Sequence, residues 1–477
     1  MLKFNFFIIS LILWSSYAWG QNKPNIIIIL ADDLGYGDIE PYGQQTIKTP
    51  NLSKISKEGI KFTQAYCGNT VCAPSRCALM TGKHMGHAYI RANDPKSAAP
   101  SGAGIALRHT DTTLATILKK AGYTTGMFGK WGLGVQNSTG SPEMHGWDYF
   151  YGFLNQAHAH HYHTDSLWKL QQGKITVERI SKNEYTQDII HTQAQKFIAE
   201  NKKNPFFLYY TTQLPHAELA IPDKYMKTYL DKNGKSIFTE TPYTGKGSYG
   251  RQDQPRAAFA AMVSKLDTDI GSIIAQLQDL QIDNNTIIFF ASDNGAHSEG
   301  GHDPEYFKST GNLRGYKRDL YEGGIRTPFI VWSPRYISKP AECKSIIAFW
   351  DMLPTIAELA DISQIPRNDG KSFVNLIKNP SLNIPHAPLY WESYISWHKH
   401  FSQAVLAHPW KMVRYKNGND STNTELYNLD NDPYEKNNMA GINKDKTSDL
   451  IKLANMLSQK PECEYFIYSK DIFKQDP

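Results

Sequence analysis

The chain has 477 residues, which is enough for one large α/β domain and a smaller one with a substantial buried core. Its content of 40% hydrophobic and 20% charged residues is typical of globular proteins and excludes a disordered or fibrous chain. The net charge of +5 is small, and without a basic stripe or a binding motif it argues against a nucleic acid partner.

The first twenty residues have the three parts of a secretory signal. Lys3 precedes an apolar run at 4–14, and the small-residue pattern "AWG" follows at 18–20. This predicts a signal peptide, residues 1–20, cleaved after Gly20. Because the run is shorter than the ~20 apolar residues of a membrane-spanning helix, we expect an exported protein without an integral membrane segment. Its predicted location is the periplasm or the medium.

Export permits disulfides, but the chain contains only five cysteines: Cys67, Cys72, Cys77, Cys343 and Cys463. Because this number is odd, at least one cysteine lies outside any intramolecular pair. That cysteine is a candidate for chemistry. The sequence leaves the pairing of the others open.

Short apolar runs rich in β-branched or aromatic residues alternate with helical patterns along most of the chain. The runs predict strands that are apolar on both faces, at 25–30, 205–210, 286–291 and 328–332. The helical patterns lie at 113–122, 187–200 and 262–280. Such strands are typical of a parallel sheet covered by helices, so residues 21–385 are predicted to form a doubly wound α/β domain.

The alternation of strands and helices stops near residue 386. The segments "PWKMVRY" (409–415) and "TELYNLDNDPYEKNNMA" (424–440) follow, with a turn at "LDNDP". Residues 386–477 are therefore predicted to form a small C-terminal α+β subdomain with short antiparallel strands and a final helix.

Polar side chains follow the ends of the predicted strands. Ligands of open α/β sheets bind beyond the carboxyl ends of the strands, so we expect these side chains to meet at one edge. The residues are Asp32 and Asp33 after 25–30, His216 after 205–210, Asp293 and Asn294 after 286–291, and Lys130 after the strand-like "YTTGMFG" (123–129). Each alone could be part of a turn or a helix cap. Together, their carboxylate and amide oxygens favour Ca²⁺ or Mg²⁺ over zinc.

The stretch "CAPSRCALMTG" at 72–82 has the pattern of a short helix. Pro74 suits the first turn and Gly82 suits the C-terminal stop, which puts Cys72 just before the N-terminus, where an anion is favoured. Arg76, one turn on, adds a positive fork that suits an oxyanion. A reactive thiol is one interpretation. An oxygen nucleophile fits a hard metal site better than sulfur does.

This stretch resembles the signature of the formylglycine-dependent sulfatases, in which the first cysteine is oxidised after translation to an aldehyde. The resemblance extends through "NIIIILADDLGYGD", "GKWGLG", "SDNGAH" and "KRDLYEGGIRTPFIVW" to the C-terminal "LYNLDNDPYEKNN", and so covers nearly the whole predicted mature chain. It implies an alkaline-phosphatase-like fold, in which helices flank a large mixed sheet and a small C-terminal α+β subdomain follows.

The resemblance also implies roles for individual residues. Cys72 would become the formylglycine nucleophile and, with Asp32, Asp33, Asp293 and Asn294, would hold one Ca²⁺. Four further residues would be catalytic beside Cys72. Arg76 would orient the nucleophile, and Lys130 and Lys317 would bind the sulfate oxygens. His216 would act as the acid near the leaving oxygen. The implied partner in maturation is a formylglycine-generating enzyme or an equivalent.

The substrate has weaker signals. The segment "GFLNQAHAHHYHTDSLW" (152–168) contains His158 and His160 among aromatic residues, and "GHAYIRAND" (86–94) contains Arg91. We take these three residues as candidates for binding a sulfated polysaccharide or its oligosaccharides. The alternative for the first segment is a histidine-rich loop that packs on the surface.

Two rival functions remain open at this point. One is a phosphodiester or phosphonate monoester hydrolase of the same superfamily, since such a metal–nucleophile site also serves phosphorus. The other is a protein that binds sulfated glycans without catalysis.

The chain departs from the family pattern at Gly132. Many relatives read "GKWH" where this chain reads "GKWG", and that histidine touches the nucleophile. We hypothesise that His158 or His160 takes over part of its role. The alternative is that Gly132 makes room for a bulkier sugar and leaves His216 as the only catalytic imidazole.

Overall fold

The structure is a computed structural model that describes residues 23–93, 105–245, 247–395, 400–417 and 421–466. The predicted signal peptide lies outside the described residues. Among the residues that are described, none of the helices has the length and apolar character needed to cross a membrane.

The described residues form three sheets and the helices that pack on them. The strands are β1 (Asn25–Ala31), β2 (Ile60–Phe62), β3 (Ala65–Tyr66), β4 (Thr124–Lys130), β5 (Tyr149–Phe153), β6 (Ser166–Gln171), β7 (Lys174–Arg179), β8 (Phe206–Thr211), β9 (Thr286–Ser292), β10 (Phe329–Trp332), β11 (Ala341–Cys343), β12 (Ile347–Ala348), β13 (Leu389–Ile395), β14 (His400–Ala407), β15 (Trp410–Asn417) and β16 (Asn423–Asn428). The helices are α1 (Pro50–Glu58), α2 (Cys72–Thr81), α3 (Leu114–Lys120), α4 (Thr186–Asn201), α5 (Asp223–Met226), α6 (Pro255–Asp279), α7 (Pro304–Phe307), α8 (Glu322–Ile325), α9 (Met352–Leu359), α10 (Val374–Lys378) and α11 (Lys444–Leu457).

The main sheet has ten strands in the described part of the chain, in the order β11–β2–β10–β9–β1–β8–β4–β5–β6–β7. Its centre is parallel, because β1 lies between β8 and β9, and β4 pairs in parallel with both β8 and β5. The segments predicted at 25–30, 205–210 and 286–291 form β1, β8 and β9 of this centre.

The segment predicted at 328–332 also enters the sheet, but as β10 it runs antiparallel to β9. The sheet is therefore mixed, as the family resemblance implies, and not wholly parallel. The physical reason is the path of the preceding segment, which stays at the carboxyl edge of β9 and places Lys317 beside Asp33 there. A chain that re-enters from that edge must run in the opposite direction.

Strand β1 shows how both faces of the sheet are buried. Ile26, Ile28 and Leu30 pack in one hydrophobic cluster with residues of α2 and α9, whereas Ile27 and Ile29 pack in a second cluster with α1, α4 and α6. Successive side chains of a strand point to opposite faces, so an unbroken apolar run requires helices on both sides.

The C-terminal region forms a separate antiparallel sheet in the order β13–β14–β15–β16. Helix α11 packs on it through Leu450 and Ala454. The predicted small C-terminal subdomain with antiparallel strands and a final helix is therefore present.

A buried lysine joins this smaller sheet to the main domain. Lys411 of β15 lies 2.8 Å from Glu322 at the start of α8 and 2.9 Å from Glu435, and all three side chains are 0% exposed. Glu322 also accepts a hydrogen bond from the Tyr66 hydroxyl at 2.9 Å. Because each charge is removed from water, each depends on its partners.

Replacing Lys411 with alanine should destabilise the fold by roughly 3–5 kcal/mol, because Glu322 and Glu435 then stay buried without their nearest cation. The measurement is the midpoint of urea-induced unfolding. A matched control is Lys452→Ala, since the Lys452 side chain is 73% exposed. Equal midpoints for the two variants would contradict the assignment.

Candidate active site

The predicted site residues meet at the carboxyl ends of the central strands. β1 and β9 end in register, so Asp32 and Asp293 leave neighbouring strands side by side. Lys130 is the last residue of β4, His216 follows β8, and Lys317 lies in the segment between β9 and β10. All five side chains are buried.

Helix α2 carries Cys72 as its first residue. Val71 is the N-cap, so the helix begins one residue earlier than expected from the sequence. It ends as predicted at Gly82, whose φ of 68° lies in the left-handed region that favours glycine. Every residue of the helix is buried, so the position of Cys72 is fixed by packing on all sides.

Arg76 connects the elements that form the site. Among the described residues, it makes no hydrogen bond with Cys72. Its Nε and Nη2 donate to Oδ2 of Asp293 at 2.9 and 2.8 Å. Its Nη1 donates to the carbonyl oxygen of Lys130 at 2.8 Å and to the Thr211 hydroxyl. Arg76 therefore holds helix α2 against the ends of β9, β4 and β8, which is a positioning role.

Two lysines pair with the two adjacent aspartates. Lys130 Nζ lies 2.6 Å from Asp32 Oδ2, and Lys317 Nζ lies 2.7 Å from Asp33 Oδ2. Burial alone would raise the pKa of Asp32, but Lys130, His216 and Arg76 outweigh burial and hold that pKa well below its usual range. The lysines thus stay cationic at the base of the site, where an anionic group can bind.

The acidic groups fit a hard cation. Asp32, Asp33, Cys72 and His216 each offer a ligand atom, and these atoms lie within 4.8 Å of one another. Asn294 adds a buried Oδ1 that has no hydrogen-bond partner among the described residues, and its Nδ2 donates to Asp33 Oδ1 at 2.7 Å. An orphaned buried oxygen beside carboxylates is what a calcium or magnesium ion would satisfy.

Asp293 also indicates that the site needs more positive charge. Burial, followed by the charge of Asp32, raises the pKa of Asp293 to about 7, although Arg76 acts in the opposite direction. Its Oδ1 accepts the backbone N–H of Asp33 at 3.1 Å, so the carboxylate lies within the cluster.

The unmodified thiol of Cys72 is a poor nucleophile at this position. Its Sγ lies 3.3 Å from Asp32 Oδ1. Burial, and next the charge of Asp32, raise the pKa of the thiol well above its usual value. Because the thiolate is the reactive form, this geometry disfavours a cysteine hydrolase or a redox thiol.

His216 lies beside Lys317, the lysine that pairs with Asp33. Its Nε2 lies 3.2 Å from Asp33 Oδ2 and 3.3 Å from Lys317 Nζ, while its Nδ1 contacts the carbonyl oxygen of Ala217. The carbonyl accepts from Nδ1–H, which fixes the tautomer and leaves the Nε2 lone pair directed into the site.

The two histidine candidates for substrate binding differ in position. His160 stacks on His216, with ring centroids 4.6 Å apart and an angle of 16° between the planes. His158 instead contacts the hydroxyl of Thr164 at 2.9 Å and packs edge-on against Phe153. The structure brings His160 to the site, and His158 lies with its neighbours in the surrounding loop.

Arg91 is not placed where it can meet a substrate. It is 4% exposed, and its guanidinium donates to Glu392 Oε1 at 3.0 Å and to the carbonyl oxygens of Gly86, Ala88 and Gln459. This corrects the expectation from sequence: the charge of Arg91 is neutralised by Glu392 in a buried contact with the C-terminal region.

Gly132 is covered by a residue that the sequence did not single out. A Cβ built on Gly132 would lie 2.3 Å from Nε2 of Gln156, and the three nearest atoms all belong to the amide of Gln156. The φ of Gly132 is +74°, so a larger residue would also be strained there.

Three further residues line the site beside Lys317. Glu299 Oε2 lies 3.1 Å from Lys317 Nζ, and Oε1 pairs with Arg318. Tyr249 donates to Glu299 at 3.3 Å, and its ring lies against His160 at 5.6 Å. Glu299 has a sequence signal, because it belongs to the loop after β9 that also carries Asn294. Tyr249 has none, since its loop shows no periodicity.

A second group of potential metal ligands, His84, His87 and Asp369, is explained by hydrogen bonds. His84 Nδ1 accepts the N–H of Gly86 at 3.0 Å, so Nε2 must carry the proton of the neutral ring. A histidine metal ligand would have its other nitrogen protonated instead. His87 Nδ1 contacts Asp369 at 2.8 Å, and this group therefore joins the end of α2 to the loop of Asp369.

Comparison with protein families finds two matches. The family model described as Sulfatase matches residues 24–362. A second model, described as N-sulphoglucosamine sulphohydrolase, C-terminal, matches residues 314–461.

Comparison with individual proteins gives the same picture. The chain is 30% identical over 417 residues to arylsulfatase J of Mus musculus, covering 83% of this chain and 64% of that protein. It is 27% identical over 515 residues to N-acetylgalactosamine-6-O-sulfatase of Bacteroides thetaiotaomicron, covering 91% and 93%. Among solved structures, Ps i-CgsB in complex with k-i-k-neocarrahexaose is similar with a TM-score of 0.76, 26% identity and coverage of 93% and 95%.

Proposed function

The chain belongs to the sulfatase family of sulfuric ester hydrolases, and we propose that it hydrolyses sulfate esters of a polysaccharide or its oligosaccharides. The proposed nucleophile is a formylglycine formed from Cys72. The observation that carries the proposal is the position of Cys72. It begins a fully buried helix, and its Sγ lies 3.3 Å from Asp32 in a cluster of hard ligands. An oxygen nucleophile at that atom would suit the cluster, whereas the thiol does not.

The modification and the metal supply what the other residues lack. A hydrated aldehyde at position 72 supplies one hydroxyl to attack sulfur and a second whose deprotonation expels the sulfate. Asp32, Asp33, Asp293, Asn294 and the oxygen at position 72 would hold one Ca²⁺, which would supply positive charge near the ester oxygens when bound. Oxidation of Cys72 requires a formylglycine-generating enzyme or an equivalent as a partner in maturation.

The remaining groups bind the sulfate and handle the leaving group. Lys130 and Lys317 are buried cations 2.6 and 2.7 Å from the metal-site carboxylates. Each ammonium has three N–H donors, so it can bind a sulfate oxygen in addition to its carboxylate. His216 directs its Nε2 lone pair to the same point, 3.3 Å from Lys317 Nζ; a proton taken up at Nε2 would then pass to the departing sugar oxygen. Arg76 acts through Asp293 and the strand ends, and keeps the nucleophile helix in register with them.

The carbohydrate substrate is supported by the relatives. One relative is named for N-acetylgalactosamine-6-O-sulfatase activity, and a structural neighbour is solved with a neocarrahexaose. In this chain, the rings of His160 and Tyr249 form a wall beside His216. Aromatic faces with polar tips suit a sugar ring. With residues 1–20 as a signal peptide, we propose that the enzyme acts in the periplasm or outside the cell.

Replacing Cys72 with alanine should abolish hydrolysis of an aryl sulfate, because the nucleophile is lost, while circular dichroism remains that of the wild type. The matched control is Cys77→Ala, one and a half turns further along the same buried helix, which should retain activity. Full activity of Cys72→Ala would end the proposal. An aryl phosphodiester assayed in parallel tests the rival function. A phosphodiesterase should turn over that substrate faster than the aryl sulfate.

The purified protein should contain one Ca²⁺ per chain by elemental analysis. Asn294→Leu should weaken Ca²⁺ binding by roughly tenfold to a hundredfold, as expected when about 1–3 kcal/mol of polar interaction is lost. This substitution removes the orphaned oxygen and leaves the ion pairs of the aspartates in place. Asp253→Ala, at an exposed carboxylate, is the control. Stoichiometric zinc with no calcium in active protein would overturn the metal assignment.

A further inference from the structure

The amide of Gln156 is a buried polar group that has no hydrogen-bond partner among the described residues. The residue is 7% exposed, and neither Oε1 nor Nε2 reaches a donor or acceptor there. Leaving a buried polar group unpaired destabilises the fold. An amide left in this state at both ends therefore points to something that binds it.

The strands place Gln156 at the edge of the sheet that carries the site. β4 and β5 are parallel and in register, so the residues after Lys130 run beside those after Phe153. The N–H of Gly132 donates to the carbonyl oxygen of Leu154 at 3.0 Å and continues this pairing. Gln156 follows two residues later and covers Gly132.

A helical turn follows Gln156 and carries His160. Ala157 has helical dihedral angles, the N–H of Ala159 donates to the carbonyl oxygen of Asn155, and His158–His160 form a 3-10 turn. The His160 ring stacks on His216 at 4.6 Å. One short segment therefore carries both the amide that covers Gly132 and an imidazole that lies against the site.

We propose that Gln156 binds a hydroxyl group of the sugar that carries the sulfate, and so determines specificity. A hydroxyl both donates and accepts, which would satisfy Oε1 and Nε2 together. A sulfate oxygen only accepts and would leave Oε1 unpaired. Gly132 contributes to this binding position, because a Cβ at residue 132 would displace the amide of Gln156. This inference rests on the proposed function for the identity of the ligand.

The test measures binding separately from turnover. Isothermal titration calorimetry is done on the inactive Cys72→Ala protein with k-i-k-neocarrahexaose, N-acetylgalactosamine 6-sulfate and inorganic sulfate. Adding Gln156→Leu should weaken the binding of at least one sugar by roughly tenfold to a hundredfold. The Kd for inorganic sulfate should change by a smaller factor. Gln171→Leu, at an exposed position, is the matched control.

The thermal midpoint gives a second, independent outcome. If Gln156 serves the ligand and not the fold, Gln156→Leu should be as stable as the parent or more stable, because an unpaired amide is replaced by an apolar group of similar size. Equal loss of sugar and inorganic sulfate binding, no loss of either, no sugar binding by the parent, or a lower thermal midpoint would each overturn the inference. Sugar binding that depends on Gln156, together with wild-type protein that has no sulfatase activity, would contradict the proposed function alone.

Discussion

The ion pair between Arg76 and Asp293 is the interaction on which the site depends. Both side chains are buried, at 0% exposure, and a guanidinium removed from water must find partners for its donors. Arg76 finds them on three strand ends: Asp293 after β9, the Lys130 carbonyl in β4 and Thr211 in β8. Because Cys72 precedes Arg76 by four residues, the two share one face of α2, and the pair directs Cys72 into the same cluster.

The balance of charges in this cluster explains how its buried carboxylates are stabilised. Asp32 and Asp33 are neutralised by Lys130 and Lys317, and Asp293 by Arg76. Even so, burial and the charge of Asp32 keep the pKa of Asp293 raised to about 7. A divalent cation beside these carboxylates would favour their charged forms. In the proposed function, the lysines that neutralise the buried carboxylates would also bind the sulfate.

Much of this site could be predicted from sequence because parallel strands deliver their following residues to one edge. Asp32, Lys130, His216 and Asp293 each lie at the end of a central strand or soon after it, so their proximity follows from the strand assignments. The direction of β10 could not be predicted in this way. It depends on the path of the segment before it, which the local pattern does not encode.

The substrate-facing residues were harder to predict because their roles depend on neighbours distant in sequence. Arg91 looks like an anion-binding residue in the sequence, but Glu392, 301 positions later, neutralises it. The sequence does not distinguish His158 from His160, because both are histidines of the same segment. The helical turn places His160 at the site and His158 beside Phe153. No sequence pattern singles out Gln156, because its role depends on its amide lying where a Cβ of residue 132 would be.

The proposed reaction needs an oxygen nucleophile at position 72 in place of the thiol. Mass spectrometry of the peptide that contains residue 72, taken from active protein produced in a host with a formylglycine-generating enzyme, measures this modification. We expect the mass of formylglycine or its hydrate in place of cysteine, in proportion to the activity of each preparation. Fully active protein whose Cys72 remains unmodified would contradict it.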